Sequence, residues 1–181
     1  KSVALTDGPF DVANPAWDAD GRSLLFSAAI HELADLYPRP SIWRVRVRGP
    51  DEPIEPPVEV VRLRGTAERA FPSPDGRWLA YTSNETGRYE LWLEPLPRTG
   101  MRYQLTRDGG SHPLWLPDGR SLYFDRGQQM FQLKLNLSAP TSSADPTSLP
   151  IKGFAQGEYR RQFELMPNGR QFLMLFPVAA Q

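Results

Sequence analysis

The chain has 181 residues, with 21 Lys plus Arg against 21 Asp plus Glu. A balanced charge of this kind gives it no bulk electrostatic reason to seek nucleic acid or an anionic membrane surface. The absence of Cys removes disulfides, thiolate metal sites and cysteine nucleophiles together, 19 Pro argue against a helical bundle, and no apolar run approaches the roughly 20 residues of a membrane span.

Taken in chain order, the sequence repeats itself. Residues 1–6 lead into Leu5-Thr6-Asp7-Gly8, which echoes Leu105-Thr106-Arg107-Asp108-Gly109, so they read as the outer strand of a preceding unit. A first unit over 7–64 follows, built around Asp20-Gly21-Arg22. Large apolar residues alternate after the turn at Leu24 and Phe26, with a third strand at 42–45 and a fourth at 58–63. The second unit, 65–106, repeats the order with Asp75-Gly76-Arg77, Leu79 and Tyr81, then strands at 91–93 and 102–106. The third, 107–151, carries Asp118-Gly119-Arg120, Leu122 and Phe124, a strand at 130–133, and a weak fourth strand near 148–151. That strand follows a Ser-, Thr- and Pro-rich stretch, 140–150, which reads as a loop. The last unit, 152–181, has Asn168-Gly169-Arg170 with Phe172 and Met174, and stops after its second strand at Phe176.

The period of two is that of a strand with one face in a core. Asp-Gly or Asn-Gly between two such runs is the strongest short-range hairpin signal, since Gly21, Gly76, Gly119 and Gly169 can adopt the positive φ that a tight turn needs. Four short antiparallel strands every 40–50 residues or so is the period of a propeller blade. The expected fold is therefore all-β: a β-propeller of three complete four-stranded blades plus a partial one, part of a larger propeller. A β-sandwich with recurring turns is the alternative, but sandwiches do not repeat a whole strand set in the same order.

Asn14-Pro15-Ala16-Trp17-Asp18-Ala19-Asp20-Gly21-Arg22, Phe71-Pro72-Ser73-Pro74-Asp75-Gly76-Arg77 and His112-Pro113-Leu114-Trp115-Leu116-Pro117-Asp118-Gly119-Arg120 resemble the WD40-like repeat of TolB-type propellers. The segment from Glu90-Leu91-Trp92-Leu93 to Gly110, and the ending Met166-Pro167-Asn168-Gly169-Arg170, are similar to the propeller region of bacterial proteins that carry a Ser/Thr kinase domain upstream. The resemblance covers nearly the whole chain. It implies the fold, and a bacterial, periplasmic or extracytoplasmic setting; it implies little about activity, because such repeats occur in scaffolds, regulators, kinases and peptidases alike. Pro72 and Leu165 stand where the pattern has an aromatic, and Asn168 replaces its Asp.

No catalytic motif is present: neither a G-x-S-x-G elbow nor a kinase signature set occurs, and no phosphate-binding Gly loop is found. His31 and His112 have acids nearby in Glu32, Asp35 and Asp125, but the spacing matches no zinc pattern, so neither a metal nor a cofactor is expected. Trp17, Trp43, Trp92 and Trp115 recur at repeat-defined positions and read as core filling, with Trp78 off that register and exposed. The repeat breaks at residues 28–41, where a connection of a few residues in the other units becomes a long loop; long loops in compact domains carry function more often than not. By the propeller convention, loops 31–40, 84–88 and 125–128 share a face with the inter-blade loops 7–14, 107–112 and 153–158. His31, Glu32, Tyr37, Arg88, Asp108, His112 and Arg126 on that face are the binding candidates. Asp20, Asp75, Asp118 and Asn168 with their glycines are structural turns on the opposite face. These features lead to the expectation of a non-enzymatic recognition propeller, a scaffold or sensor for a protein partner, with further blades or another chain at its open edge. The alternatives are a propeller that gates a peptidase or hydrolase, and a small-ligand-binding or lactone-hydrolysing propeller.

Overall fold

The structure, a computed structural model, describes residues 4–140, 145–156, 161–166 and 168–177. Three four-stranded antiparallel sheets follow one another, each in simple up-and-down order. The first holds β1 (Ala13–Trp17), β2 (Ser23–Ala28), β3 (Ser41–Arg46) and β4 (Val58–Val61). The second holds β5 (Ala67–Pro72), β6 (Trp78–Ser83), β7 (Glu90–Pro95) and β8 (Tyr103–Gln104). The third holds β9 (Ser111–Trp115), β10 (Ser121–Arg126), β11 (Gln129–Lys134) and β12 (Thr147–Lys152), and β13 (Phe163–Leu165) with β14 (Phe172–Met174) forms a two-stranded sheet after it. This is a partial propeller. The first strands of consecutive sheets, β1, β5 and β9, lie against one another and so form the inner, convergent side.

The core lies between sheets rather than on one face of each. Leu25, Ile42 and Val61 of the first sheet meet Ala70, Leu79, Tyr81 and Trp92 of the second. Ala80, Leu91 and Leu93 of the second meet Trp115, Leu122, Phe124 and Leu133 of the third, and Leu114 and Met130 of the third meet Phe163. The alternation after each turn therefore has a different meaning from the one expected. Leu79 and Tyr81 face the sheet before, and the intervening Ala80 faces the sheet after, so both faces of an interior strand are buried. Leu173 of β14, with no sheet after it among the described residues, is exposed.

The turns are closed by their own side chains. Asp20 Oδ1 accepts from the backbone N–H of Arg22 (2.7 Å) and Ser23 (2.9 Å), Asp118 Oδ1 does the same for Arg120 and Ser121, and Asn168 Oδ1 accepts from Arg170 N–H at 3.0 Å. Asp75 accepts the Ser73 hydroxyl at 2.6 Å. The turn glycines also set the spacing between sheets. A Cβ on Gly76 (φ 69°) would lie 2.9 Å from Ala19 Cβ, and one on Gly169 would lie 3.1 Å from Pro117, so each turn leans on the turn before it.

Several expectations are corrected. Ala4–Thr6, expected as part of an outer strand, pairs with no strand; a ladder needs a partner, and Leu5 packs instead onto Phe26, Ala28 and Val45. Residues 1–3 of that segment lie outside the described residues. Stretch 140–150 is not loop throughout, because β12 begins at Thr147: Leu149 and Ile151 pack on the third core, and Gln129 Nε2 donates to both their carbonyls. Residues 141–144 of that stretch lie outside the described residues, as do 157 and 158 of the last inter-blade loop, Pro167 of the final motif and 178–181. Trp17 is 59% exposed and is not core filling. Its counterpart Trp115 is covered because the preceding sheet supplies Phe71, whose carbonyl accepts from Trp115 Nε1 at 2.9 Å; no described sheet precedes Trp17. Trp78, expected to be exposed, is half-buried, with its ring 6.2 Å from that of Tyr103.

Two predictions follow from this geometry. Gly76→Val meets both a positive φ and the neighbouring turn, whereas Gly21 has open space around the same position. Gly76→Val should cost about 1–3 kcal/mol in denaturant titrations, and Gly21→Val should cost less; equal losses would show that backbone strain alone acts. The second concerns acid. Hydrogen bonding from Arg22 N–H holds Asp20 at about 2, and the Ser73 hydroxyl holds Asp75 at about 2. Both are depressed relative to an ordinary carboxyl group, so their stabilisation is complete above about pH 4 and is lost as pH falls toward 2. The Asp20→Asn, Asp75→Asn double variant should lose less stability across that window than the parent, measured by thermal melts at pH 5, 3.5 and 2.

Candidate functional site

The ends of the sheets opposite the turns bear the variable loops and three clefts. The inner strands approach them through a shared irregularity. β1, β5 and β9 each break register near their start, and the residue at the break has a left-handed backbone: Asn14 (φ 53°), Arg69 (φ 55°) and His112 (φ 53°).

A cleft of about 900 Å³ is lined by Asp11 and Asn14, by Asp35 and Pro38 of the long loop, and by Glu68 and Tyr89. Tyr89 also lines a second cleft of about 490 Å³, together with Arg69, His112, Asp125 and Arg126. Inside it His112 Nδ1 lies 2.8 Å from Asp125 Oδ1, both side chains being buried. Arg69 is paired with Glu68 at 3.2 Å and lies over the Tyr89 ring at 5.4 Å. Burial pushes the Tyr89 hydroxyl above its usual value, and the Glu68 carboxylate adds to the shift.

A third cleft, about 640 Å³, lies beside the outer strand of the first sheet and holds His31, Glu32 and Tyr37 with Arg39, Glu59 and Arg62. The expected site residues thus separate. His31, Glu32 and Tyr37 come together in the third cleft, and His112 and Arg126 in the second. Asp108 is exposed on the loop before β9, and lines none of these three clefts. Arg88 is also exposed, but its Nε lies 3.4 Å from Glu90, a carboxylate only 1% exposed that accepts Gly109 N–H and the Thr106 hydroxyl. Arg88 therefore helps to hold the loop before β9 as well as facing solvent.

The long loop is not shapeless. Residues 31–37 make one helical turn, in which Tyr37 N–H donates to Leu33 O at 2.9 Å and Ala34 N–H to His31 O at 3.0 Å. Leu33, Leu36 and Tyr37, three and four residues apart, stand exposed on it, Leu36 by 71%. The sequence reading chose Tyr37 and missed the two leucines. It also missed Asn14, Arg69 and Tyr89. A signal was available for the first two: with His112 they occupy one repeat position, six residues before Asp20, Asp75 and Asp118, where a polar residue interrupts a strand. Tyr89 has no such mark. Among the described residues no group of three or more His, Asp or Glu is placed to hold a metal ion, and no helix is long and apolar enough to cross a membrane.

No protein-family model matches the sequence, and no curated protein matches it. Solved structures do. TolB from Acinetobacter baumannii superposes with a TM-score of 0.60 at 17% identity, over 94% of this chain and 39% of that one. A puromycin-hydrolysing peptidase from Mycobacterium tuberculosis gives 0.65 at 18% identity, over 88% of this chain and 27% of that one. The periplasmic gluconolactonase of Pseudomonas aeruginosa gives 0.52 at 17% identity, over 87% and 48%. The chain spans between about a quarter and a half of the length of these proteins. The expectation that the chain is not an enzyme is corrected here: the same fold is carried by a peptidase and a lactonase, so neither the architecture nor the lack of a familiar motif excludes catalysis. At this identity the likeness is one of fold, and the fold of this chain is a TolB-like β-propeller.

Proposed function

We propose that the chain is a recognition propeller that binds a protein partner through its loop end, outside the bacterial cytoplasm. The observation that carries this reading is the turn at 31–37. In the one connection that departs from the repeat, the chain orders a helical turn and holds Leu33, Leu36 and Tyr37 in solvent instead of burying them. Large apolar side chains grouped on a rigid turn mark an interaction site, because exposing them to water has no other compensation within the fold. Polar and charged residues rim the group in His31, Glu32, Arg39 and Arg62, the arrangement of an apolar anchor inside a polar border. The extracytoplasmic placement is supported by the likeness to a periplasmic lactonase and rests on fold alone. The uncovered faces at Trp17 and at Leu173, Leu175 and Phe176 are the places for further blades or for another chain.

The test uses a partner recovered by cross-linking in the source bacterium and then titrated in pure form. Tyr37→Ala and Leu36→Ala should each weaken binding by about 1–2 kcal/mol with the melting transition nearly unmoved. Arg88→Ala should lower the transition, because it leaves the buried Glu90 with one fewer ionic partner. Arg120→Ala on the turn face should leave binding intact. Loss of binding with Arg120→Ala, while Tyr37→Ala and Leu36→Ala are silent, would place the interface on the opposite face.

A further inference from the structure

Consecutive sheets meet through the same positions of the repeat, so the two outermost faces have counterparts in the three interfaces inside the chain. On the trailing face, turned toward the following sheet, Leu25, Ala80, Tyr123 and Leu173 occupy one position, five residues after the Asp or Asn of the turn. Leu25 and Ala80 are buried in the cores shared with the next sheet, and the Tyr123 ring lies 4.9 Å from that of Phe172. Leu173 at that position is 65% exposed, and Leu175 beside it is exposed too.

The leading face, turned toward the preceding sheet, shows the same contrast. Trp115 donates its Nε1–H to the Phe71 carbonyl of the sheet before at 2.9 Å. Trp17, at the same repeat position, is exposed, and its Nε1 has no acceptor among the described residues. Val12 is exposed where its counterpart Ala67 is fully buried. A Cβ on Gly76, Gly119 or Gly169 would lie within 4 Å of the turn before, whereas one on Gly21 meets nothing. Leu5 and Phe10 cover Phe26, Ala28 and Val45 on this face and leave Trp17 and Val12 open. They do not take the place of a sheet: Leu63 and Leu105, in the connections leading into β5 and β9, pack in the same way where a preceding sheet is also present.

Each outer face is therefore half of an interface that the chain already makes three times, one the leading half and the other the trailing half. Rigid faces with large apolar side chains in solvent are interaction surfaces, and the occupant that carries both halves is this chain. We propose that a second copy docks head to tail, with the Leu173 face of each copy on the Trp17 face of the other, so that two copies close a ring. The Glu164 carbonyl of one copy, at the repeat position of Phe71, then accepts the Trp17 Nε1–H of the other. A head-to-tail contact must close or run on as a filament. Two copies with four sheets each bring eight, and propellers close with about four to eight. This proposal rests on the reading of the uncovered faces as interfaces and is independent of the turn at 31–37.

Sedimentation velocity of the 181-residue chain should show a two-copy species that dissociates on dilution. Trp17→Asp and Leu173→Asp alter exposed side chains, so each variant alone should sediment as a single chain with its circular dichroism unchanged. An equal mixture of the two variants should associate again, because the intact Trp17 face of one meets the intact Leu173 face of the other. Trp17→Phe, which keeps most of the apolar area and loses the Nε1–H, should weaken association about fivefold, and Leu36→Asp should leave it in place. A chain that stays single at every concentration overturns the second copy, while partner binding at the turn, measured separately, is untouched by that result. Association that survives both Asp variants, or that Leu36→Asp abolishes, places the contact elsewhere and overturns the proposal. Loss in only one of the two variants, with no recovery on mixing, assigns a contact between like faces and overturns it as well.

Discussion

The structure depends on sheets packing face to face. The interior sheets bury one face against their predecessor and the other against their successor, while the first sheet's outer face is covered by residues of its own unit, Leu5 and Phe10 over Phe26, Ala28 and Val45. Two contacts fix that spacing. Trp115 reaches across to the Phe71 carbonyl, and the turn glycines sit against Ala19, Pro74 and Pro117, each the residue just before the Asp of the preceding turn. A repeat array of this kind is stabilised by neighbour interfaces, so its end faces are left with apolar groups uncovered. Trp17 and Leu173 are those groups.

The same packing explains why the two ends of the sheets differ. Side chains at the turn end are used up in closing tight turns, and the turns are nearly identical from copy to copy. At the other end the inner strands bulge, releasing one polar residue per sheet from the ladder toward the clefts. Buried carboxylates brace the surroundings. Glu90 ties β7 to the loop before β9, and Glu94 accepts from the Tyr81 hydroxyl and from Arg98, both at 2.7 Å. Such groups are tolerated in the interior because every one of them has donors at hand. Their effect is to hold the cleft walls in one geometry.

The two kinds of surface at that end differ in physics. The turn at 31–37 offers area, three apolar side chains that gain by leaving water. The cleft around His112 offers directed polar groups in a partly desolvated place, where charge counts for more than it does at a free surface. A stack of sheets packed on one another can present both without either disturbing the other.

The sequence by itself determined the fold class, because the Asp-Gly turn and the period-two strands are local signals that need no knowledge of what packs where. It also singled out the long loop, through the break in spacing. It did not determine burial. Trp17 and Trp115 are the same letter at the same repeat position, yet one is exposed and the other buried, because burial depends on whether a sheet lies in front. Nor could it bring His112 to Arg69, which are 43 positions apart and on different sheets, or separate His31 from His112 into different clefts. Those juxtapositions come from the angle and spacing between sheets, which is a property of side chains meeting across an interface and is written in no single repeat.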